Sequence, residues 1–268
     1  MADQQWQGMQ LHARMGLQGE VLVLQDKSRR WLNFADSPAI QSCMLRNDPA
    51  QLVLPYQHTM MMWPLFMTAT LKHAVLIGVG GGDMIRYLQQ HYPAVSIQAV
   101  DEDPVMLQIA CNYFSVNPGS MLALQVDTAE QFVQHIQQPQ DLLLIDIVAN
   151  DAMPACLYDN EFWQACQHGL SATGIMIVNV ITSSETEFVA LLEQLRSVFG
   201  HLPVCVSVPE HRNVVLFLSA NLDDVPNLDE LQARAESLSR QTSLPVESVM
   251  DVLKTDNRIK NNRFCLLP

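Results

Sequence analysis

Short apolar runs alternate with segments of helical periodicity through the middle of the chain, starting near residue 65. The run at 142–145 is apolar at every position, which is typical of a strand covered on both faces of a sheet. The alternation predicts strands at 74–79, 95–100, 122–126, 142–145 and 175–180, and helices at 84–91, 104–114, 129–137, 161–170 and 185–199. Strands joined by helices in this way predict an α/β fold with a parallel sheet.

The N-terminal residues follow a different pattern. Alternating apolar and polar positions at 20–24 and 30–34 lie on either side of a polar turn at 25–28, which predicts a β-hairpin. Another short strand is predicted at 39–45. We therefore expect a small N-terminal β domain over residues 1–58 and a Rossmann-like domain over residues 59–268.

The pattern changes again after the last predicted parallel strand. The apolar runs 204–208 and 214–218 are separated by five residues, too few for a crossover helix, so this pair is predicted to be antiparallel. A parallel sheet closed by an antiparallel hairpin is the layout of class I S-adenosylmethionine-dependent transferases. The tail predicts helices at 228–239 and 246–253 and an apolar segment at 264–267 that packs back on the core.

Charge and composition limit the classes of molecule that this protein is expected to bind. The 268 residues include 15 Lys and Arg against 28 Asp and Glu, a formal net charge of −13. This excludes a general nucleic-acid binder and argues against an anionic membrane surface, whereas a cationic ligand is compatible with it. The start of the chain lacks the apolar core of a secretory signal, and no apolar run reaches the ~18 residues of a membrane span.

Cysteine and histidine spacing adds no redox or metal site. The six cysteines form no Cys-x-x-Cys pair, so we expect reduced, mostly buried thiols in a cytoplasmic protein. The eight histidines show no ligand spacing, and no metal site is predicted.

A glycine-rich turn follows the first predicted parallel strand. Gly78 and Gly80 match the start of a dinucleotide fingerprint, but Asp83 stands where its last glycine would be. A carboxylate there would repel a pyrophosphate, so NAD and FAD are disfavoured and a cationic sulfonium nucleoside is favoured. The alternative is that Asp83 simply caps the helix that follows.

Three further acids end predicted strands. Asp101 lies about 20 residues after the glycine turn, where an acid can accept the ribose hydroxyls. Asp127 is placed to accept from an adenine amino group, or alternatively caps the next helix, and Asp146 ends the fourth strand. Ligands of open α/β sheets bind outside the carboxyl ends of the strands, so these acids predict a ligand site.

Residues from about 20 to 200 resemble the spermidine synthase (polyamine aminopropyltransferase) family. The segment 75–83 is similar to that family's Gly-Gly-Gly-Asp-Gly-Gly stretch, with Met84 and Ile85 in place of the last two glycines. The other positions that match family motifs are Gln41, Tyr56, Asp101, Asp127 and Asp146.

The resemblance implies transfer of an aminopropyl group from decarboxylated S-adenosylmethionine, a co-substrate rather than a prosthetic group, to an amine such as putrescine. It implies that Asp146 is the general base and that Tyr56 orients the acceptor. It also implies that Asp83 holds the aminopropyl ammonium. The implied donor-binding residues are Gly78, Gly80, Gly82, Asp83, Asp101, Asp127 and Gln41. Together with the edge strands of the β domain, it implies a homodimer.

The acceptor side departs from the family more than the donor side. Gln57 and His58 replace a His and an acid, Asn179 replaces a Gln, and the loop 146–152 is one residue longer and lacks a proline. Met60–Met62 are expected to fill the core. Two alternatives therefore remain open: a methyltransferase that uses intact S-adenosylmethionine, and a nucleoside-binding homologue without turnover.

Overall fold

The computed structural model describes residues 6–67, 69–147 and 153–267. It confirms an α/β protein with a mixed sheet of seven strands and a separate N-terminal antiparallel sheet. The described chain forms two compact units, of which the first comprises residues up to 54 and 78–128, and the second residues 55–77 and those from 129 onward. A domain boundary at residue 58 stays a prediction.

Four antiparallel strands form the N-terminal sheet in chain order, β1 (Met9–Gly16), β2 (Gly19–Gln25), β3 (Arg29–Phe34) and β4 (Ile40–Leu45). The sequence pattern did not predict β1. None of its residues is fully buried, so it lacks the apolar alternation that marks the other three strands. Its pairing with β2 makes it an edge strand of this sheet.

The seven-stranded sheet contains β5 (His73–Ile77), β6 (Ser96–Asp101), β7 (Leu122–Val126), β8 (Gln140–Ile145), β9 (Leu170–Ile181), β10 (Val204–Ser207) and β11 (Asn213–Ser219). Their order across the sheet is β10-β11-β9-β8-β5-β6-β7. β8 pairs parallel with both β5 and β9, and β6 pairs parallel with β7. β11 is antiparallel to β10, as the short connection between the two runs predicts, and it is also antiparallel to β9.

Eight α-helices accompany these strands in the described residues: α1 (Pro55–Met60), α2 (Asp83–His91), α3 (Pro104–Tyr113), α4 (Ala129–Gln134), α5 (Asn160–Gly169), α6 (Glu185–Phe199), α7 (Leu228–Gln241) and α8 (Val246–Asp256). Helix α3 begins with a proline after the N-cap Asp103, whose side chain accepts from the backbone N–H of Val105. The sequence pattern missed α1, which is too short to show a helical period.

Each unit has its own core. In the first, Val23 and Leu32 of the N-terminal sheet pack with Ile109 of α3 and with Phe114. In the second, the apolar residues of β8 and β9 are almost fully buried, and the Phe66 and Phe217 rings stack with centroids 4.7 Å apart. These cores hold the strand ends that carry the predicted site residues.

The chain ends in a small hairpin, β12 (Ile259–Lys260) and β13 (Arg263–Phe264), with Asn261 and Asn262 in its turn at positive φ. Leu266 is buried, and its carbonyl accepts from the backbone N–H of Leu202 at 2.9 Å, so the tail packs back as predicted. No helix among the described residues is both long and apolar enough to cross a membrane.

Candidate active site

The glycine-rich turn lies in the first unit, between the end of β5 and the start of α2. Gly78, Gly80 and Gly82 all have positive φ, at 90°, 52° and 74°. A Cβ on Gly82 would lie 2.3 Å from Cγ2 of Val116, so both the backbone angle and the space demand glycine there. The backbone N–H of Gly81 donates to the Ser42 hydroxyl at 2.7 Å, which fixes the turn against β4.

Asp83 is the first residue of α2 and is 3% exposed. Its Oδ1 accepts from Nη2 of Arg86 at 2.5 Å, and its Oδ2 accepts from the backbone N–H of Cys43 at 3.0 Å. The Arg86 guanidinium also donates to the carbonyls of Gly81 and Phe114, at 2.5 and 2.8 Å. Asp83 is therefore half of a buried ion pair, and its contact with a donor ammonium stays a prediction.

Asp101 ends β6, and its carboxylate is tied to nearby backbone. Oδ2 accepts from the N–H of Val79 at 2.9 Å, and Oδ1 accepts from the N–H of Asp103 at 3.0 Å. Burial raises the pKa of Asp101, and these hydrogen bonds partly offset the effect. The carboxylate thus braces the glycine turn, and its predicted ribose contact would use the acceptor positions that remain.

Asp127 follows β7, and Gln41 lies in β4. Oδ2 of Asp127 accepts from Nε2 of Gln125 at 3.0 Å, and Oδ1 accepts from the N–H of Thr128 at 2.9 Å. Gln41 is the extra residue at a register shift between β3 and β4, a bulge that re-aims a side chain. Both residues are half-buried, and their donor-binding roles stay predictions.

Asp146 and Tyr56 meet in the second unit. The Tyr56 hydroxyl donates to Oδ2 of Asp146 at 2.9 Å, and Nδ2 of Asn179 donates to its Oδ1 at 2.8 Å. The backbone N–H of Asp146 donates to the carbonyl of Ile77 at 2.8 Å, which holds this residue at the end of β8. Two donors on one carboxylate favour its charged, proton-accepting form.

The network extends beyond the residues that the sequence singled out. Nδ2 of Asn213, the first residue of β11, donates to Oδ1 of Asn179 at 2.9 Å. Nε2 of Gln57 donates to the Tyr56 hydroxyl at 3.3 Å, and the Gln57 side chain is buried. Sequence reasoning missed Asn213 because only the pairing of β11 with β9 brings it to this cluster.

Two further expectations concern the predicted acceptor side of the site. Met60, Met61 and Met62 are fully buried, as core residues are. Residues 148–152 of the predicted acceptor loop lie outside the described residues. The acceptor-side chemistry in the described chain is therefore one carboxylate held by a phenol and an amide. Such a group can take a proton from an amine that lies against it.

Comparison with known proteins identifies the family of this chain. Residues 53–227 match the model of the spermine/spermidine synthase domain. A polyamine aminopropyltransferase of Neisseria meningitidis serogroup A is 28% identical over 92% of this chain and 94% of its own length. A probable spermidine synthase from Corynebacterium glutamicum superposes with a TM-score of 0.70 at 16% identity, covering 96% of this chain and 98% of that one.

Human methyltransferase-like protein 13, solved in complex with SAH, superposes with a TM-score of 0.65 at 19% identity, covering 70% of this chain and 92% of that one. At this identity the structural likeness concerns the fold alone. The family match, by contrast, spans most of the chain and includes Tyr56, the glycine turn and Asp146. The chain therefore belongs to the spermine/spermidine synthase family.

Proposed function

We propose that this transferase moves an aminopropyl group from decarboxylated S-adenosylmethionine to an amine such as putrescine. The observation that carries the proposal is the Asp146 carboxylate, held between the Tyr56 hydroxyl and the Asn179 amide. Membership of the family supports aminopropyl transfer, and the Neisseria relative is named for the same reaction.

The reaction needs an amine with a free electron pair. The nitrogen forms a bond to the carbon next to the sulfonium, the carbon–sulfur bond breaks, and its electron pair stays on sulfur to give methylthioadenosine. The amine must give up one proton, and Asp146 accepts it. Tyr56 donates to the same carboxylate and so fixes the face of Asp146 that the amine approaches.

On the donor side, the proposal gives Asp101 the ribose hydroxyls and Asp127 the adenine amino group. A sulfonium with an aminopropyl ammonium carries two positive charges, and a chain with a net charge of −13 attracts such a ligand at long range. Gly78 and Gly80 allow the backbone to approach the nucleoside closely.

The first experiment is a calorimetric titration of the purified protein with decarboxylated and with intact S-adenosylmethionine. Mass spectrometry after addition of putrescine then identifies the products. We expect tighter binding of the decarboxylated donor, with spermidine and methylthioadenosine as products. Binding of that donor with no product from a panel of amines would contradict the proposal.

Replacing the proposed base tests the chemical step. Asp146→Asn keeps the side-chain shape but cannot take a proton, so we expect turnover to fall by about 10²–10⁴-fold. Binding of methylthioadenosine should persist, because the proposed nucleoside contacts lie on other residues. Steady-state kinetics and calorimetry on the same preparation measure both. Turnover retained within a few-fold of wild type would remove Asp146 from its assigned role.

One observation favours a second candidate, methyl transfer from intact S-adenosylmethionine. The Asp83 carboxylate is neutralised by Arg86 and buried, so it would repel the carboxylate of the intact donor less than a free acid would. Preferred binding of the intact donor, with S-adenosylhomocysteine as product, would establish this candidate instead.

The proposal includes a homodimer working in the cytoplasm. Edge strand β1 carries Met9 and Met15, which are 64% and 69% exposed, and an edge strand with unpaired backbone groups invites pairing with a second copy. Burial raises the pKa of the Cys43 thiol to about 12, which suits a thiol that stays reduced. Light scattering should give twice the chain mass, and a monomer at micromolar concentration would contradict the dimer.

A further inference from the structure

We propose that Asn213 is a positioning residue for the transfer reaction. Its amide fixes the orientation of the Asn179 side chain and, through it, that of the Asp146 carboxylate. The inference rests on the proposed role of Asp146 as general base. Asn213 donates to Asn179, and Asn179 donates to the Asp146 carboxylate. Asn213 therefore acts through Asn179 rather than on a substrate.

The argument begins with what each group can donate or accept. An ionised carboxylate only accepts hydrogen bonds, whereas an asparagine amide presents a donor at one atom and an acceptor at the other. Asn179 can therefore stabilise Asp146 only with its Nδ2 turned towards the carboxylate, the orientation seen at 2.8 Å. The reverse orientation would place a carbonyl oxygen against a carboxylate oxygen.

Asn213 selects the productive orientation. Its Nδ2 donates to Oδ1 of Asn179 at 2.9 Å, and this bond holds the acceptor end of the amide away from Asp146. In the reverse orientation the two Nδ2 groups would face each other, and both would lose a partner. Asn179 is 3% exposed, so water offers little substitute for that loss.

The strand register explains why the Asn213 side chain can reach Asn179. β11 runs antiparallel to β9, with Asn213 opposite Ile181 and Val215 opposite Asn179. The two asparagines are thus diagonal neighbours on one face of the sheet, within reach of each other's side chains. The backbone carbonyl of Asn213 accepts from the N–H of Val208 at 2.9 Å, which anchors the residue from the β10 side.

Tyr56 of α1, a titratable side chain, also donates to this carboxylate, at Oδ2. Asn179, of β9, is uncharged and donates to Oδ1. Replacement of Asn213 leaves the Tyr56 bond in place and frees the Asn179 amide to turn. The change therefore separates two contributions to the stability of the charged Asp146 carboxylate. One comes from the pair of amides, Asn213 and Asn179, which we call the amide relay, and the other comes from the Tyr56 phenol.

The test compares Asn213→Ala with the isosteric Asn213→Asp. The aspartate keeps the side-chain shape, so it serves as the second variant if the alanine variant fails to fold. Asn112→Asp, on an exposed position of α3, adds the same charge as a control. We expect kcat to fall by about tenfold in Asn213→Ala and further in Asn213→Asp, because an ionised carboxylate cannot donate. KM for the donor should stay unchanged.

A pH-dependent readout distinguishes positioning from a structural effect. With the relay broken, Asp146 loses support for its charged form, so its pKa should rise and the acid limb of kcat should move to higher pH. Carbon-13 NMR of aspartate-labelled protein, with the Asp146 signal assigned from Asp146→Asn, measures the same shift without any turnover.

Two results would overturn the inference: an unchanged Asp146 titration in Asn213→Ala, or lost activity with an unchanged pH profile in that variant. The NMR readout also keeps the two proposals apart. If the wild type turns over no amine, the proposed function fails, whereas an Asp146 pKa raised in Asn213→Ala, which adds no charge, would still establish the coupling to Asn213.

Discussion

At the residue scale, the two acids expected to contact the donor ammonium and the acceptor amine have different surroundings. Asp83 is buried and bonded by Arg86 and a backbone N–H, and in that state it stabilises the start of α2. Asp146 is half-buried, and the Tyr56 hydroxyl and the Asn179 amide, which are neutral groups, donate to it. A carboxylate paired with a guanidinium is a weak proton acceptor, so the chemistry of the described chain points to Asp146.

The tight packing at Gly82 yields a prediction on stability. Gly82→Ala places a Cβ at positive φ and 2.3 Å from Val116, so we expect a loss of about 1–3 kcal/mol in the free energy of unfolding. Urea denaturation followed by circular dichroism measures it. Gly119→Ala is the matched control, because a Cβ there meets nothing within 4 Å. Equal stabilities of the two variants would show that the turn relaxes without strain.

At the element scale, the terminal strand β10 of the seven-stranded sheet forms hydrogen bonds with side chains along its outer edge, where another strand could otherwise pair. Asn257, which follows α8, accepts from the N–H of Cys205 at 2.9 Å and donates to its carbonyl at 2.6 Å. Asp256 accepts from the N–H of Ser207 at 2.6 Å. The outer edge of β10 is therefore covered, which removes a template for pairing with other chains.

This edge cover predicts a measurable cost. Asn257→Ala removes both bonds to Cys205, and we expect the free energy of unfolding to drop by about 1–3 kcal/mol. Asn112→Ala, on an exposed helical position, should leave it unchanged or slightly raised. Urea denaturation of the two variants and of the wild type measures the free energy of unfolding of each. An unchanged stability for Asn257→Ala would mean that water replaces the amide at the edge.

At the scale of the whole molecule, local sequence accounts for most of the elements. The buried runs of β5, β8 and β9 and the periodic helices α3 and α6 follow from their own residues, because burial on both faces or on one stripe leaves a local signal. Edge strand β1 and the six-residue α1 leave little such signal, and their places depend on what they pack against. The glycine turn and the acids at the strand ends were likewise readable from spacing.

The amino-acid sequence by itself determined the α/β alternation, the antiparallel closing pair, the glycine turn and the presence of acids at the ends of β6, β7 and β8. It also carried a helical spacing of three that could have indicated the Asp83–Arg86 pair. Only the tertiary structure decided that Asp83 is buried in that pair and that Asp146 is held by Tyr56, Asn179 and, through it, Asn213. These contacts join residues from separate elements, and their distances follow from strand pairing and helix packing, which no local pattern encodes.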